Sequence, residues 1–354
     1  MRHVERGGEA TPASRDSTES AGKVVGEVTV DEYQLTGYAK IGIHQVMLTD
    51  SVRTRAYRTA ILGNIELFNN KVVLDIGAGT GILSYFAAEA GAKHVYAIEY
   101  HESLAARVRD TAKRNGLADR ITVFSGKAED LDLPVDTVDI IVSEWMGYAL
   151  LYESMLDTVL YARDRWLAED GILLPDRAHL YVTASSDRIN FENRSNFFND
   201  VYGYDMGGFS ELLLREASIG TVYPENVRTY PTLVRSWDLR TCKLEDLVFK
   251  TDFVLRANGD GTVHMVDFWF ETDFSHGKKK VQLSTSPFHL ETHWQQTHFY
   301  VNEPIPLVDD EEMHGTIDWK RKPGLHREQI IGITLRDVAE GKTKDMVNQY
   351  AIEF

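Results

Sequence analysis

Two glutamates nine residues apart, Glu144 and Glu153, are the side chains of this sequence best spaced to do chemistry as a pair. Ser143-Glu144-Trp145-Met146-Gly147-Tyr148 follows an apolar run, and Tyr152-Glu153-Ser154-Met155 opens a helical pattern. If the segment between them folds back around Gly147, the carboxylates face one another. Two ionised carboxylates at close range repel, and an apparent pKa rises unless a cation sits between them. A guanidinium suits that place, because its planar fork of N–H donors matches paired carboxylates. Each glutamate alone has a plainer reading: Glu144 ends a strand, and Glu153 sits in a helix first turn beside the dipole. Following a loop of the cofactor-binding kind, the two together point to a site for a cation.

That loop is Asp75-Ile76-Gly77-Ala78-Gly79-Thr80-Gly81. It follows a strand-like run and opens a helix. Its glycines let a ligand approach the backbone, and the helix start offers unpaired N–H groups. Glu99 ends the next strand, 18 residues after Gly81, where a carboxylate can accept both ribose hydroxyl protons. A nicotinamide dehydrogenase would carry Gly-x-Gly-x-x-Gly; here the third glycine falls one place early and Ile82 takes the position that pattern needs. Asp75 would repel a pyrophosphate yet suits a ligand bearing an ammonium group. S-adenosyl-L-methionine is such a ligand, with one ribose, an amino-acid tail and no phosphate. A tight turn without a ligand stays open as the plain alternative.

The elements that must position these groups alternate. Strands are expected at 71–75, 94–99, 121–125, 138–143 and 172–174, and helices at 82–90, 102–115 and 153–167. This rhythm predicts an α/β domain with a mostly parallel sheet covered on both faces. Beyond Pro175, runs rich in β-branched and aromatic residues at 178–184, 248–255, 262–270 and 297–301 predict an antiparallel β-domain. A helical insert at about 187–215 interrupts it, carrying Phe191, Phe197 and Phe198. Residues 1–28 hold too little apolar surface to order themselves and are expected to be a tail. The expected division is therefore tail 1–28, cofactor domain 29–176 and β-domain 177–354.

The chain has 354 residues and a formal charge of −16, a length that suits about two domains. It has no apolar run of roughly 18 residues or more, so no spanning helix is expected, and no apolar h-region marks a secretory signal. The single cysteine, Cys242, excludes an internal disulfide and a cysteine-based zinc cluster, fits a reducing compartment, and leaves no metal centre to expect. The acidic balance argues against a nucleic-acid backbone as partner and for a cationic one.

Three stretches of this chain resemble the protein arginine methyltransferases. Residues 73–83 resemble the family's cofactor loop, 143–155 its double-glutamate loop, and Thr292-His293-Trp294 its threonine-histidine-tryptophan loop. One tripeptide is a weak signal; the three in this order and spacing are a strong one, and the resemblance runs from Tyr38 onward. It implies a Rossmann-like S-adenosylmethionine-dependent methyltransferase domain followed by an antiparallel β-barrel domain, with 187–215 as an inserted helical dimerisation arm. An apolar arm would otherwise be an exposed patch, which monomers rarely carry.

Taken position by position, the resemblance implies that Asp75, Gly77, Gly79 and Glu99 bind the cofactor. Arg53 would hold its carboxylate, and Glu129 with the Ala128 backbone its adenine amino group. Tyr38 and His44 would close over it under an N-terminal helix, and Met47 and Met155 would line the methyl-transfer pocket. Glu144 and Glu153 would grip the substrate guanidinium, with Met146, Tyr148 and Trp294 around it. His293 with Asp50 would form a proton relay. Plainer readings stand beside these: Arg53 as a surface ion pair, a lone methionine as core, His293 as an interior histidine.

The implied activity is type I: methyl groups pass from S-adenosyl-L-methionine to protein arginines, giving mono- and asymmetric dimethylarginine and S-adenosyl-L-homocysteine. Met47 supports the asymmetric product, since symmetric-product members carry phenylalanine there. The expected partners are a second copy of the chain and arginine-rich proteins, Gly-Arg-rich ones and histones among them. Direct contact with nucleic acid or membrane is not expected, and the expected location is the cytoplasm, with the nucleus as a second. The family's asymmetric-product members carry an aromatic pair four and three residues before Tyr38; here Gln34 and Leu35 stand there, with Tyr33 one place off. That departure bears on the lid over the cofactor and on the balance between mono- and asymmetric dimethyl product. Two other readings remain: methylation of a small molecule or of RNA, the latter disfavoured by the −16 charge, and a non-catalytic dimeric scaffold.

Overall fold

Five short apolar runs build the first sheet: β1 (Val72–Ile76), β2 (His94–Glu99), β3 (Ile121–Ser125), β4 (Val138–Ser143) and β5 (Leu167–Leu174). All pair in parallel, in the order β3-β2-β1-β4-β5. The computed structural model describes residues 36–337 and 344–352, so the expected tail and Gln34 and Leu35 lie outside the described residues.

Helices α1 (Ile41–Thr49) and α2 (Ser51–Leu62) precede the sheet. Helices α3 (Ile82–Glu89), α4 (Glu102–Arg114) and α5 (Met155–Trp166) make the crossovers. Val73, Leu74, Ile98, Ile141 and Val142 are buried, so the strands read as continuous apolar runs, as a sheet covered on both faces requires. α5 begins two residues later than expected. Glu153 and Ser154 take left-handed φ values of 74° and 55°, which keeps Glu153 out of the helix. β5 in turn begins at once after Trp166, five residues earlier than expected.

After Leu174 every strand pairs antiparallel. One sheet runs in the order β7 (Ser218–Gly220), β12 (Gln296–Leu307), β10 (Gly261–Phe274), β6 (Arg177–Ser185), β8 (Thr232–Asp238), with β11 (Val281–Ser284) on β10. The other runs β15 (Lys344–Ile352), β14 (Leu325–Asp337), β13 (Glu312–Lys322), β9 (Phe249–Arg256). Aromatic side chains fill the space between them, Phe268 on Trp319 at 6.4 Å and Phe299 on Tyr350 at 4.8 Å, both edge to face. The result is a barrel-like domain. Six of its strands were not expected from the sequence: β7, β8, β11, β13, β14 and β15.

Between β6 and β7 the chain forms helices α6 (Arg188–Asn196) and α7 (Gly208–Leu214). Asp187 caps α6 by accepting from the Asn190 N–H at 3.0 Å. Phe191 and Leu214 are buried at the base of the insert, whereas Ile189, Phe197, Tyr204, Phe209 and Leu212 are exposed and Tyr202 is 99% exposed. No helix among the described residues is long and apolar enough to cross a membrane.

Candidate active site

β1 pairs with β2 on one side and β4 on the other, so the strand order reverses between β1 and β4. Open α/β sheets bind ligands at such a switch point, beyond the carboxyl ends of the strands. A cavity of about 410 Å³ lies there. Three elements leaving that edge line it: Gly77 and Gly79 after β1, Glu99 ending β2, and Glu144, Met146, Tyr148, Glu153 and Met155 after β4. Tyr38 ahead of α1, His44 and Met47 on α1 and Arg53 on α2 close it, with His293 and Trp294 from the segment before β12. Asp50, Asp75, Ala128 and Glu129 are not among its walls.

Gly77 and Gly79 have φ of 70° and 55°, values that L side chains rarely adopt. A Cβ on Gly77 would fall 2.2 Å from Met155 Cε, and one on Gly79 would press on the His44 ring at 3.2 Å. The loop therefore presents bare backbone, as an approaching ligand needs. Glu99 is held ready beside it, with Oε2 accepting from the Gly79 N–H at 2.8 Å and Oε1 from the His101 N–H at 2.9 Å. Glu99 placed for ribose hydroxyls, Arg53 for an amino-acid carboxylate and a bare glycine turn would together fit S-adenosylmethionine.

Asp75 departs from expectation. As a strand residue it turns into the interior, where it is fully buried and accepts from Ser84 Oγ at 2.6 Å, tying β1 to α3. Burial pushes its pKa up to about 6, against the Ser84 hydrogen bonds. It stands behind the loop rather than before a ligand. Ala128 and Glu129 occupy a single turn after β3. Ala128 is buried, and Glu129 is exposed with its Oε1 accepting from Thr158 Oγ1 at 2.7 Å.

The double-glutamate loop does fold back at Gly147. The Gly147 and Leu150 backbones exchange two hydrogen bonds of 3.0 Å, and a Cβ on Gly147 would lie 2.0 Å from the Tyr152 carbonyl oxygen. Only glycine permits that approach. Trp294 anchors the turn by donating from Nε1 to the Met146 carbonyl at 2.9 Å.

Each carboxylate already has a guanidinium of its own. Arg53 donates to Glu144 Oε2 from both Nε and Nη2 at 2.8 Å. Glu153 accepts from the Tyr38 hydroxyl at 2.8 and 2.7 Å and from Arg327 Nη2 at 2.6 Å. Burial pushes the Glu153 pKa up, the charge of Glu144 adds to this, and Arg327 and Tyr38 pull against it. Each carboxylate is thus held by one internal arginine, Glu144 by Arg53 and Glu153 by Arg327. Arg327, 174 residues from Glu153, carried no sequence signal that linked it to the site.

His293 joins the site through Asp50. Asp50 Oδ2 accepts from the His293 backbone N–H at 2.9 Å and contacts His293 Nδ1 at 2.7 Å, while Oδ1 caps α2 by accepting from the Arg53 N–H at 2.9 Å. Burial alone would raise the Asp50 pKa; these hydrogen bonds outweigh it and hold the carboxyl below its ordinary value. An ionised Asp50 fixes the proton on Nδ1, leaving Nε2 as the ring's acceptor. Among the described residues no cluster of three or more His, Cys, Asp or Glu could hold a metal ion.

Residues 176–337 match the family described as arginine methyltransferase oligomerization subdomain, and residues 73–171 match a methyltransferase domain. Protein arginine N-methyltransferase 1 of Schizosaccharomyces pombe is 46% identical over 87% of this chain and 90% of its own length. The Chlamydomonas reinhardtii protein of the same name is 42% identical over 91% and 93%. Among solved structures, the Trypanosoma brucei PRMT1 enzyme–prozyme heterotetrameric complex with AdoHcy is similar, with a TM-score of 0.87 and 36% identity over 90% of this chain and 100% of that one. With a site of two carboxylates beside a bare glycine loop, and relatives matched over nearly their full lengths, this chain belongs to the protein arginine N-methyltransferase family.

Proposed function

We propose that this enzyme transfers methyl groups from S-adenosyl-L-methionine to arginine guanidino nitrogens through Glu144 and Glu153, as a type I enzyme making mono- and asymmetric dimethylarginine. One observation carries the reading: two carboxylates from one folded-back loop wall the same cavity as a glycine turn free of side chains. When bound, the cofactor supplies an electrophilic sulfonium methyl. Gly77, Gly79 and Glu99 would hold it, with Arg53 on its carboxylate and Ala128 and Glu129, at the end of β3, on its adenine.

A guanidinium is a poor nucleophile, because its lone pairs are delocalised and its pKa exceeds about 12. Glu144 and Glu153 hold its N–H groups and draw positive charge away from the attacking nitrogen. Tyr38 and Arg327 fix Glu153 before substrate arrives, and Arg53 fixes Glu144, so rate comes from orientation and preset charge. His293 Nε2, with Nδ1 on Asp50, accepts the released proton. Met146, Tyr148 and Trp294 shape the substrate side, and the flexible Met47 and Met155 leave room for a methyl group already on the attacked nitrogen.

The substrates in this reading are arginine-rich proteins, Gly-Arg-rich ones and histones among them, and the working unit is a homodimer joined through 187–215. Its place is the cytoplasm and, second, the nucleus. Glu144→Gln and Glu153→Gln keep the shape and remove a charge. Each should lower kcat/KM on a Gly-Arg-rich peptide at least ~100-fold, about 3 kcal/mol of transition-state stabilisation, with donor affinity little changed. Near-normal turnover in either variant contradicts the assignment, and transfer of labelled methyl to RNA in preference to peptide replaces it.

A further inference from the structure

The hairpin of β13 and β14 reaches out of the barrel and fastens onto the Glu153 segment. The Glu153 N–H donates to the Arg327 carbonyl at 3.0 Å, and Ser154 Oγ donates to the His326 carbonyl at 2.7 Å. Gln329 Nε2 donates to Ser154 Oγ at 2.9 Å. One turn into α5, Asp157 accepts two hydrogen bonds from Arg321, at 2.6 and 2.7 Å, and meets His326 Nε2 at 2.9 Å. These contacts hold Glu153 and Ser154 in their left-handed conformations, which cost free energy unless the surroundings enforce them.

From this platform we infer that Arg327, whose Nη2 lies 2.6 Å from Glu153 Oε2, is a positioning residue that orients Glu153 and favours its carboxylate form before substrate binds. The inference rests on the reading of Glu153 as a carboxylate partner of the substrate. The groups facing Glu153 are Tyr38 ahead of α1, Glu144 and Tyr148 on its own loop, and Arg327 from β14. Arg53 pairs with Glu144, and Arg321 with Asp157. Tyr38 offers a neutral hydroxyl, and Glu144 is a like charge that opposes ionisation. Arg327 is therefore the cation set against the burial of Glu153 and the repulsion of Glu144.

The alternative, a substrate mimic that must leave, fits less well. Arg327 donates from Nη2 to Glu153 Oε2, and its own carbonyl accepts from the Glu153 N–H. A guanidinium anchored at both backbone and side chain is a fixture of the site.

The sign of the effect is specific. Removing the cation raises the Glu153 pKa, so the acid limb of the pH profile moves to higher pH. The shift belongs to kcat/KM, which reports the free enzyme, more than to kcat, because bound substrate brings its own guanidinium. In full-length enzyme, Arg327→Met should move the acid limb of kcat/KM up by about one pH unit or more, with a smaller movement in kcat. Arg327→Lys should leave the limb near the parent's position; Arg327→Gln replaces the Met variant if that one does not fold. Reduced activity with an unmoved limb means a purely structural role and overturns the inference, as does a Met or Gln variant more active than the parent at neutral pH. Glu153→Gln, run in parallel, separates the two levels. A dead Glu153→Gln beside an unmoved limb defeats this inference alone, whereas an active Glu153→Gln defeats the reading beneath it.

Discussion

Single residues in this protein act through what they are buried with. Asp75 shows it most plainly. With its pKa raised from 3.8 to about 6 by burial, the folded state binds a proton that the unfolded state releases between those two values. Stability must then fall as pH rises through that window and level off above it. The cofactor-free protein should lose roughly 3 kcal/mol from this group. Asp75→Asn, which keeps an acceptor for Ser84, should become more stable relative to the parent as pH rises from about 4 to about 6, with no further change above. Denaturant titrations of both proteins across that range test this, and a difference independent of pH contradicts it. The same residue marks the limit of motif reading: the glycine pattern locates the loop, but whether the residue before it faces ligand or core depends on where its strand sits against α3. Glu144 and Glu153 were legible as a pair because Gly147 allows one sharp reversal between them. Their arginine partners were not, since Arg53 and Arg327 reach them from 91 and 174 residues away.

At the scale of elements, the site is a meeting of loops that the sheet edges deliver and other elements lock. Strand β4 was readable because Val138, Ile140, Ile141 and Val142 are buried and make a nearly continuous apolar run. β13 was not expected although Met313, Ile317 and Trp319 alternate inward; Lys320, Arg321 and Lys322 crowd its end. That hairpin proves to be what grips the Glu153 segment. The other lock is Trp294, 4% exposed, whose Nε1 donates to the Met146 carbonyl. Trp294→Phe keeps the ring packing on Phe270 but leaves a buried carbonyl unpaired, at a cost of about 1–3 kcal/mol. Thermal unfolding should register that loss, and kcat should fall more than donor affinity because the turn carrying Glu144 loosens. Unchanged stability and unchanged kcat together would show that the tryptophan does not hold the loop.

Across the whole molecule, two domains meet on one cavity, and the insert between β6 and β7 leaves Ile189, Phe197, Phe209 and Leu212 exposed, a cluster of a kind that marks interaction surfaces. Deleting about 190–213 should give a soluble monomer of much weaker activity. Sedimentation of the intact protein as a monomer at micromolar concentration would remove the arm from the dimer. The carboxylates, the glycine turn, Met47 and His293 are accounted for together if the enzyme methylates arginine twice on one nitrogen. The most direct measurement is tandem mass spectrometry of a Gly-Arg-rich peptide after incubation with the enzyme and S-adenosyl-L-methionine. Mono- and dimethylated arginine whose fragmentation releases dimethylamine is the expected result. An unmodified peptide, or dimethylarginine that releases monomethylamine from two different nitrogens, would contradict it.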